Sequence, residues 1–110
     1  MILDKQENLL IITQESSNII ALVQKIEAQY DEIKNDNIIV NLFSLGNLTK
    51  SDLVEFLQLS KKHRAAKHSF VIVTNKISTD DLPEAIMTVP TLQEAFDIIE
   101  MEEIERDLGF

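Results

Sequence analysis

Two apolar runs joined by one helix-length segment constrain the fold of this chain more than any other feature. Residues 38–42 and 70–73 are almost entirely apolar, which is typical of strands covered on both faces. Between them, from about Lys50, apolar residues recur at helical spacing, with Leu53, Phe56 and Leu57 on one side. We therefore predict a right-handed βαβ unit with two neighbouring parallel strands.

The other elements follow from local signals. Residues 1–6 and 9–13 predict a hairpin about a polar turn, and apolar residues from 19 to 33 predict a helix of about four turns. Residues 75–83 predict a short helix or irregular link, and 85–89 a last strand. The final helix starts at a capping box, Thr91 and Glu94, and stops at Gly109. We expect one α/β domain over residues 1–110, a mixed sheet of four to five strands with helices mainly on one face.

Charge and composition narrow the choice of partners. The net charge is −9, from 19 acidic and 10 basic residues, which would repel a phosphate backbone and argues against nucleic acid as a direct ligand. The chain has no cysteine, no export signal and no apolar run long enough for a membrane span. We expect a cytoplasmic protein without membrane attachment. The basic run Lys61, Lys62, His63, Arg64, Lys67 and His68 is interpreted as the end of the middle helix.

The sequence offers no constellation that predicts catalysis. The crossover loop, residues 43–49, contains one glycine and neither a phosphate-binding glycine pattern nor a histidine or cysteine nucleophile. We expect His63 and His68 to be exposed or capping residues, which need not share a face, rather than metal ligands. The acidic residues of the last helix are interpreted as a solvated face. We predict a non-enzyme with no cofactor and no metal.

Two features of the last helix concern how its surface is used. Ile98, Met101 and Phe110 lie outside its narrow apolar stripe, so the sequence leaves open a deeper buried groove or an exposed patch for a partner or a second copy. Arg106 stands among acids, and we expect it to pair with Glu102 or Glu103.

The order of elements and three phrases resemble the STAS domain of anti-sigma-factor antagonists and sulfate-transporter tails. The phrases are Ile-Ile-Val-Asn-Leu (residues 38–42), Leu-Thr-Lys-Ser-Asp-Leu-Val-Glu-Phe-Leu (48–57) and Phe-Val-Ile-Val (70–73). They are similar to the central strand, regulatory helix and following strand of that family. The resemblance implies a bacterial regulatory domain that binds a protein partner.

In that family the junction before the regulatory helix reads Asp-Ser-Ser-Gly, and its first serine is a phosphoswitch for binding a partner kinase. Matching the helix that follows puts Thr49 at the aspartate, Lys50 at the switch serine, Ser51 at the second serine and Asp52 at the glycine. The switch serine is therefore not retained in this alignment. Thr49 and Ser51 are the candidate phosphorylation sites, and capping of the helix is the competing interpretation of both hydroxyls.

The C-terminal residues 89–110 are similar to the end of small Bacteroidetes proteins that carry the name ribonuclease Z. That name implies a zinc-dependent nuclease that processes tRNA 3′ ends with a His-x-His-x-Asp-His cluster. This chain has only His63 and His68, so the resemblance implies an accessory protein of such a nuclease rather than the nuclease itself.

Together these features predict a non-catalytic protein-interaction and regulatory module of STAS-like type. The partner-binding residues are predicted at the start of the regulatory helix: Asn47, Thr49, Lys50, Ser51 and Asp52. Two alternatives stay open, an accessory protein of a ribonuclease Z and a phosphoregulated anti-sigma-factor antagonist. The partner is a protein that the sequence does not identify, and a homodimer is a further alternative.

Overall fold

The computed structural model describes residues 1–16 and 18–109, which form five strands and five α-helices in chain order. The strands are β1 Ile2–Gln6, β2 Leu9–Thr13, β3 Asn37–Asn41, β4 Phe70–Val73 and β5 Met87–Val89. The helices are α1 Ile19–Ala28, α2 Tyr30–Ile33, α3 Lys50–Val54, α4 Leu57–Ala65 and α5 Leu92–Asp107, with a 3-10 turn at Thr79–Asp81. Phe110, named above with the last helix, lies outside the described residues, as does Ser17.

The five strands form one sheet in the order β1-β2-β3-β4-β5. β1 pairs antiparallel with β2, and β2, β3, β4 and β5 are parallel to one another. Ile38 lies opposite Phe70 in the β3–β4 register, which confirms that the two apolar runs are neighbouring parallel strands. The hairpin is also confirmed, and its turn places Glu7 at a positive φ of 51°.

Alternate residues of the strands face two separate apolar clusters, so the sheet lies between two layers. On one face, Ile12, Val40 and Ile72 pack with buried residues of α1 to α4, such as Leu22 and Leu53. On the other face, the cluster contains Ile11, Ile39, Val71, Val73, Val89, Ala95 and Ile99, of which the last two belong to α5. The α/β class and the placement of helices mainly on one face are confirmed.

Each of the first two predicted helices is divided in two, into α1 and α2 and into α3 and α4, which the sequence did not predict. Between α3 and α4, the N–H groups of Glu55 and Phe56 donate to carbonyls three residues earlier, so the backbone tightens locally to a 3-10 turn. Phe56 at this turn is fully buried and its ring lies 6.2 Å from that of Phe70. The break between α3 and α4 therefore coincides with a large side chain packed in the core.

The boundaries of α5 agree with the sequence signals. Thr91 Oγ1 accepts a hydrogen bond from the Glu94 N–H at 3.1 Å, and Gly109 follows the helix with a φ of 82°. Glycine adopts this left-handed conformation without steric cost, which explains the stop. Within the described residues, no helix has the combination of length and apolar character needed to cross a lipid bilayer.

Candidate protein-binding surface at the carboxyl end of the sheet

The loop after β3 is anchored by leucines that leave the residues between them at the surface. Leu42, Leu45 and Leu48 are all buried in the larger apolar cluster. Phe43 stands between the first two and is 53% exposed, with its N–H held by Asn41 Oδ1 at 3.1 Å. The loop therefore presents an aromatic side chain from a fixed backbone.

Phe43 also forms one wall of a crevice at the tips of the parallel strands. The crevice has a volume of about 270 Å³ and is lined by Asn41, Phe43, Val73, Thr91 and Leu92. These residues come from the ends of β3 and β4 and from the start of α5. Ligands of open α/β sheets commonly bind at the carboxyl ends of the strands, so the location suits a binding site.

The predicted residues at the start of α3 divide into two groups. Thr49 Oγ1 accepts from the Asp52 N–H at 3.2 Å, and Asp52 Oδ2 accepts from the Thr49 N–H at 2.9 Å. This reciprocal capping box confirms the helix start and occupies both side chains. The side chains of Asn47, Lys50 and Ser51 are exposed and make no hydrogen bond to other described residues. These three can contact a partner without disturbing the helix.

Two further features lie near this junction. Val54, at the end of α3, is 39% exposed. Gln14, which follows β2, is buried, and its Oε1 atom makes no hydrogen bond to any described residue. The N–H of Gln14 donates to the Asn41 carbonyl at 3.2 Å, which places Gln14 at the same edge of the sheet. The carboxyl edge thus contains both exposed apolar groups and an unsatisfied polar atom.

The expectation that His63 is exposed or capping is wrong. His63 is fully buried, and its ring stacks on that of His68 with centroids 5.3 Å apart. Its Nε2 lies 2.6 Å from the carbonyl oxygen of Asp36, which can only accept, so Nε2 carries the proton. Tyr30 then donates its hydroxyl proton to Nδ1 at 2.9 Å. Helix α4 turns this residue inward, where α2 supplies its hydroxyl partner.

Burial governs the ionisation of this pair. Desolvation lowers the pKa of His63 and raises that of Tyr30, so both side chains favour their neutral forms. The nearby His68 lowers the pKa of His63 further, while the hydrogen bond to the Asp36 carbonyl opposes the shift. Across the described residues, no three His, Asp or Glu side chains are grouped so that they could hold a metal ion.

The expected pairing of Arg106 with Glu102 or Glu103 is also wrong. The Arg106 guanidinium donates to Ser69 Oγ at 3.2 Å and to Asn37 Oδ1 at 3.3 Å. Glu102 instead accepts from Arg64 at 2.7 Å and from Ser69 Oγ at 2.6 Å. Glu102 is therefore not part of a solvated face but fastens α5 to α4 and the amino end of β4.

The open question about the last helix is answered in part. Ile98 is half-buried and packs against the smaller apolar cluster, whereas Met101 is 50% exposed. Ile98 therefore belongs to the core and Met101 to the surface.

Phe43 was not among the site residues predicted from the sequence, although an aromatic residue beside the polar loop residues Ser44, Gly46 and Asn47 was an available signal.

The chain was compared with protein-family models and with curated proteins. No protein-family model matches the chain, and a search of curated proteins finds no match.

Proposed function

We propose that this chain is a non-catalytic protein-interaction and regulatory module of STAS-like type. Its binding surface consists of Phe43, Asn47, Lys50, Ser51 and Val54, called here the carboxyl-edge surface. The exposed ring of Phe43, held on a loop that three buried leucines anchor, carries the proposal. A pre-positioned aromatic side chain loses little conformational entropy on binding, and such residues often dominate the energy of an interface.

The placement of the chemically unusual groups supports a non-catalytic role. Strongly perturbed titratable groups tend to mark active sites when they line a cleft. Here the groups with shifted pKa values, Tyr30 and His63, are bonded to each other at the amino end of the sheet. The hydroxyl of Thr49 and the carboxylate of Asp52 are occupied in a helix cap. The side chains nearest the crevice are thus suited to contact rather than to proton transfer.

Site-specific photo-crosslinking in the native cytoplasm tests this function. A photoreactive phenylalanine analogue replaces Phe43 in one variant and Lys50 in another, and Ile20 on α1, which is 57% exposed, serves as the control position. We expect the same partner to be captured from positions 43 and 50 and not from position 20. Capture from position 50 should also decrease about tenfold in Phe43→Ser, since losing a buried aromatic contact costs about 1.4 kcal/mol or more. Equal capture at all three positions, or none, would contradict the proposal.

The identity of the captured protein separates the alternatives. A kinase or sigma-factor regulator supports the antagonist role, and a protein with a His-x-His-x-Asp-His cluster supports the accessory role for a ribonuclease Z. Capture of a protein of any other class would support an interaction module but neither the antagonist role nor the accessory role.

Phosphorylation of Ser51 is a second candidate, favoured by one observation. Ser51 is exposed and its hydroxyl is free of bonds to the described residues, whereas the Thr49 hydroxyl is held in the cap. A phosphate here would add nearly two negative charges to the carboxyl-edge surface. We expect mass spectrometry to find phosphate on Ser51, and Ser51→Asp to reduce crosslinking from position 43 while Ser51→Ala preserves it. Unmodified Ser51 in cells that contain the captured partner would argue against this regulation.

A further inference from the structure

The outward side of α5 carries large apolar residues that are exposed to solvent and are not packed in the core. Met101, Ile104 and Leu108 are 50%, 54% and 66% exposed. Their spacing of three and four residues puts them on one side of the helical path. Ala95 and Ile99, on the opposite side, are buried against the sheet. The helix therefore has two apolar sides, of which the sheet covers one.

The exposed charged residues of α5 around this stripe are all acidic. The exposed acids of α5 are Glu94, Asp97, Glu100, Glu105 and Asp107. Arg106, the only basic residue of this helix, is half-buried and directs its guanidinium to Ser69 and Asn37. The solvent side of α5 thus combines apolar groups with negative charge and contains no compensating cation from the helix itself.

A groove extends this surface toward β5. It has a volume of about 220 Å³, with Val89, Ile98 and Met101 as apolar lining and Glu94 and Asp97 as acidic lining. Lys and Arg bind such a site well, because their aliphatic stems cover apolar surface while their charged ends reach carboxylates. Apolar and acidic groups therefore converge at one point beside the exposed stripe.

We propose that the outer face of α5, defined by Met101, Ile104, Leu108 and the groove beside Ile98, docks a basic amphipathic helix of a partner protein. Apolar residues of that helix would cover the exposed stripe, and its Lys and Arg residues would meet the surrounding carboxylates. A second copy is disfavoured, since two such faces would bring five exposed acids of each copy against one another. An anionic lipid surface is disfavoured by the same repulsion.

This docking surface is separate from the carboxyl-edge surface. Leu53 of α3 belongs to the apolar cluster on one face of the sheet, and Ile99 of α5 belongs to the cluster on the other face. The groove and the crevice beside Phe43 both reach the first turn of α5, but the two surfaces share no residue, so each can be altered by substitution without changing the other.

Binding of synthetic peptides to the full chain tests the proposal. The probe is an amphipathic helix of about 18 residues, or five turns, built from Leu and Lys, and its matched control replaces every Lys with Glu. We expect the Leu/Lys peptide to shift the amide NMR signals of Met101, Ile104 and Leu108. The double variant Met101→Ser with Ile104→Ser should bind about tenfold more weakly, while Ile20→Ser, which removes an equally exposed apolar group from α1, should bind as the unaltered chain does.

The charge component has its own variant and its own readout. Asp97→Asn with Glu105→Asn changes two exposed carboxylates without touching the stripe, and should weaken binding and reduce its dependence on salt. Circular dichroism verifies that each variant keeps the helical content of the parent.

Three results would overturn the inference. The first is that the Leu/Glu peptide binds as tightly as the Leu/Lys peptide. The second is that the double variant Met101→Ser with Ile104→Ser retains full affinity, or that the NMR shifts cluster around Phe43 instead. The third is sedimentation of the free chain as a dimer that dissociates in the same double variant, which would make a second copy the occupant.

Discussion

The amino and carboxyl edges of the sheet differ in how their side chains are bonded and exposed. At the amino edge, Ser69 and Asn37 are buried and bonded to side chains of α5, and His63 is bonded on both ring nitrogens. At the carboxyl edge, Gln14 keeps a buried oxygen without a partner in the described chain, and Phe43 is half exposed. The side-chain bonds of the amino edge position the helices, whereas the carboxyl edge leaves side chains exposed to solvent.

The physical basis of this contrast is the cost of burying polar groups. A buried donor or acceptor without a partner destabilises the folded state by about 1–3 kcal/mol. A buried polar network therefore stabilises the fold only when its members are hydrogen-bonded. The amino-edge network joins α2, α4, α5 and β4 in this way. Side chains at the carboxyl edge such as Phe43, Lys50 and Ser51 stay in solvent and can exchange water for a partner.

The largest expected effect is at the centre of the amino edge. His63→Ala removes two hydrogen bonds and leaves a cavity beside Tyr30 and Phe70, so we expect a loss of about 3 kcal/mol in the free energy of unfolding. Urea denaturation measures it. Lys61→Ala, an exposed residue of the same helix, should change this free energy by less than about 0.5 kcal/mol. Similar values for the two variants would mean that the buried network around His63 does not stabilise the amino edge.

The next effect concerns the bonds that hold α5. Glu102→Gln keeps the shape of the side chain but removes the charge that accepts from Arg64 and Ser69, and we expect a loss of about 2 kcal/mol. The matched control is Glu105→Gln on the same helix, which is exposed and should be neutral. Thermal unfolding followed by circular dichroism compares the two, and equal midpoints would show that the Glu102 network contributes nothing.

The pH dependence of stability tests the neutral state of His63. Its pKa is lowered in the folded chain, so the unfolded chain binds more protons below the ordinary value of 6.5. Stability is therefore complete above about pH 6.5 and falls as the pH decreases, with a slope from this residue of at most about 1.4 kcal/mol per pH unit. Denaturation of the parent and of His63→Gln between pH 7.5 and 5, a range of roughly one unit above and 1.5 below that value, measures the difference in slope. Identical slopes would mean that His63 is not held neutral.

The fourth prediction is a gain in stability at the carboxyl edge. Gln14→Met replaces an amide whose buried oxygen has no partner among the described residues with an apolar side chain of similar length, and we expect an increase of about 1 kcal/mol in the free energy of unfolding. The control Asn37→Leu at the amino edge should be destabilising instead, because Asn37 Oδ1 accepts from Ser69 and Arg106. Stability measured by urea titration would contradict the contrast if both changes had the same sign.

The smallest expected effect is at Phe43. Phe43→Ser should change the free energy of unfolding by less than about 0.5 kcal/mol, since half of the ring is already in water. Phe56→Ser, at a residue of the same type that is fully buried, should lose several kcal/mol, on the order of 3–5. A strongly destabilised Phe43→Ser would place this residue in the core and remove it from the carboxyl-edge surface.

Much of the fold could be predicted because its signals are local or periodic. The apolar runs of the strands, the caps at Thr49 and Thr91 and the helix stop at Gly109 each depend on a few neighbouring residues, and each appears where it was expected. The division of the first two predicted helices could not be predicted. The break between α3 and α4 falls at Phe56, whose ring meets in the core that of Phe70, fourteen residues away in sequence.

The candidate site was predicted less completely. Asn47, Lys50 and Ser51 are exposed at a capped helix start, and their role in binding a partner stays a prediction. Phe43 and the crevice between β3, β4 and α5 were missed, since exposure of an aromatic side chain depends on what the rest of the chain leaves uncovered. Sequence periodicity reports which residues are able to be buried and not which remain uncovered.

The sequence by itself determined the α/β class, the neighbouring parallel strands and the helix caps, because backbone hydrogen bonding and apolar periodicity act over a few residues. Only the tertiary structure decided the partners of His63, Glu102 and Arg106. Glu102 and Arg106 lie more than thirty residues from their partner Ser69, and Arg106 lies 69 residues from Asn37. Which polar group meets another at such separations is set by the packing of α4 and α5 on the sheet, which no local pattern encodes.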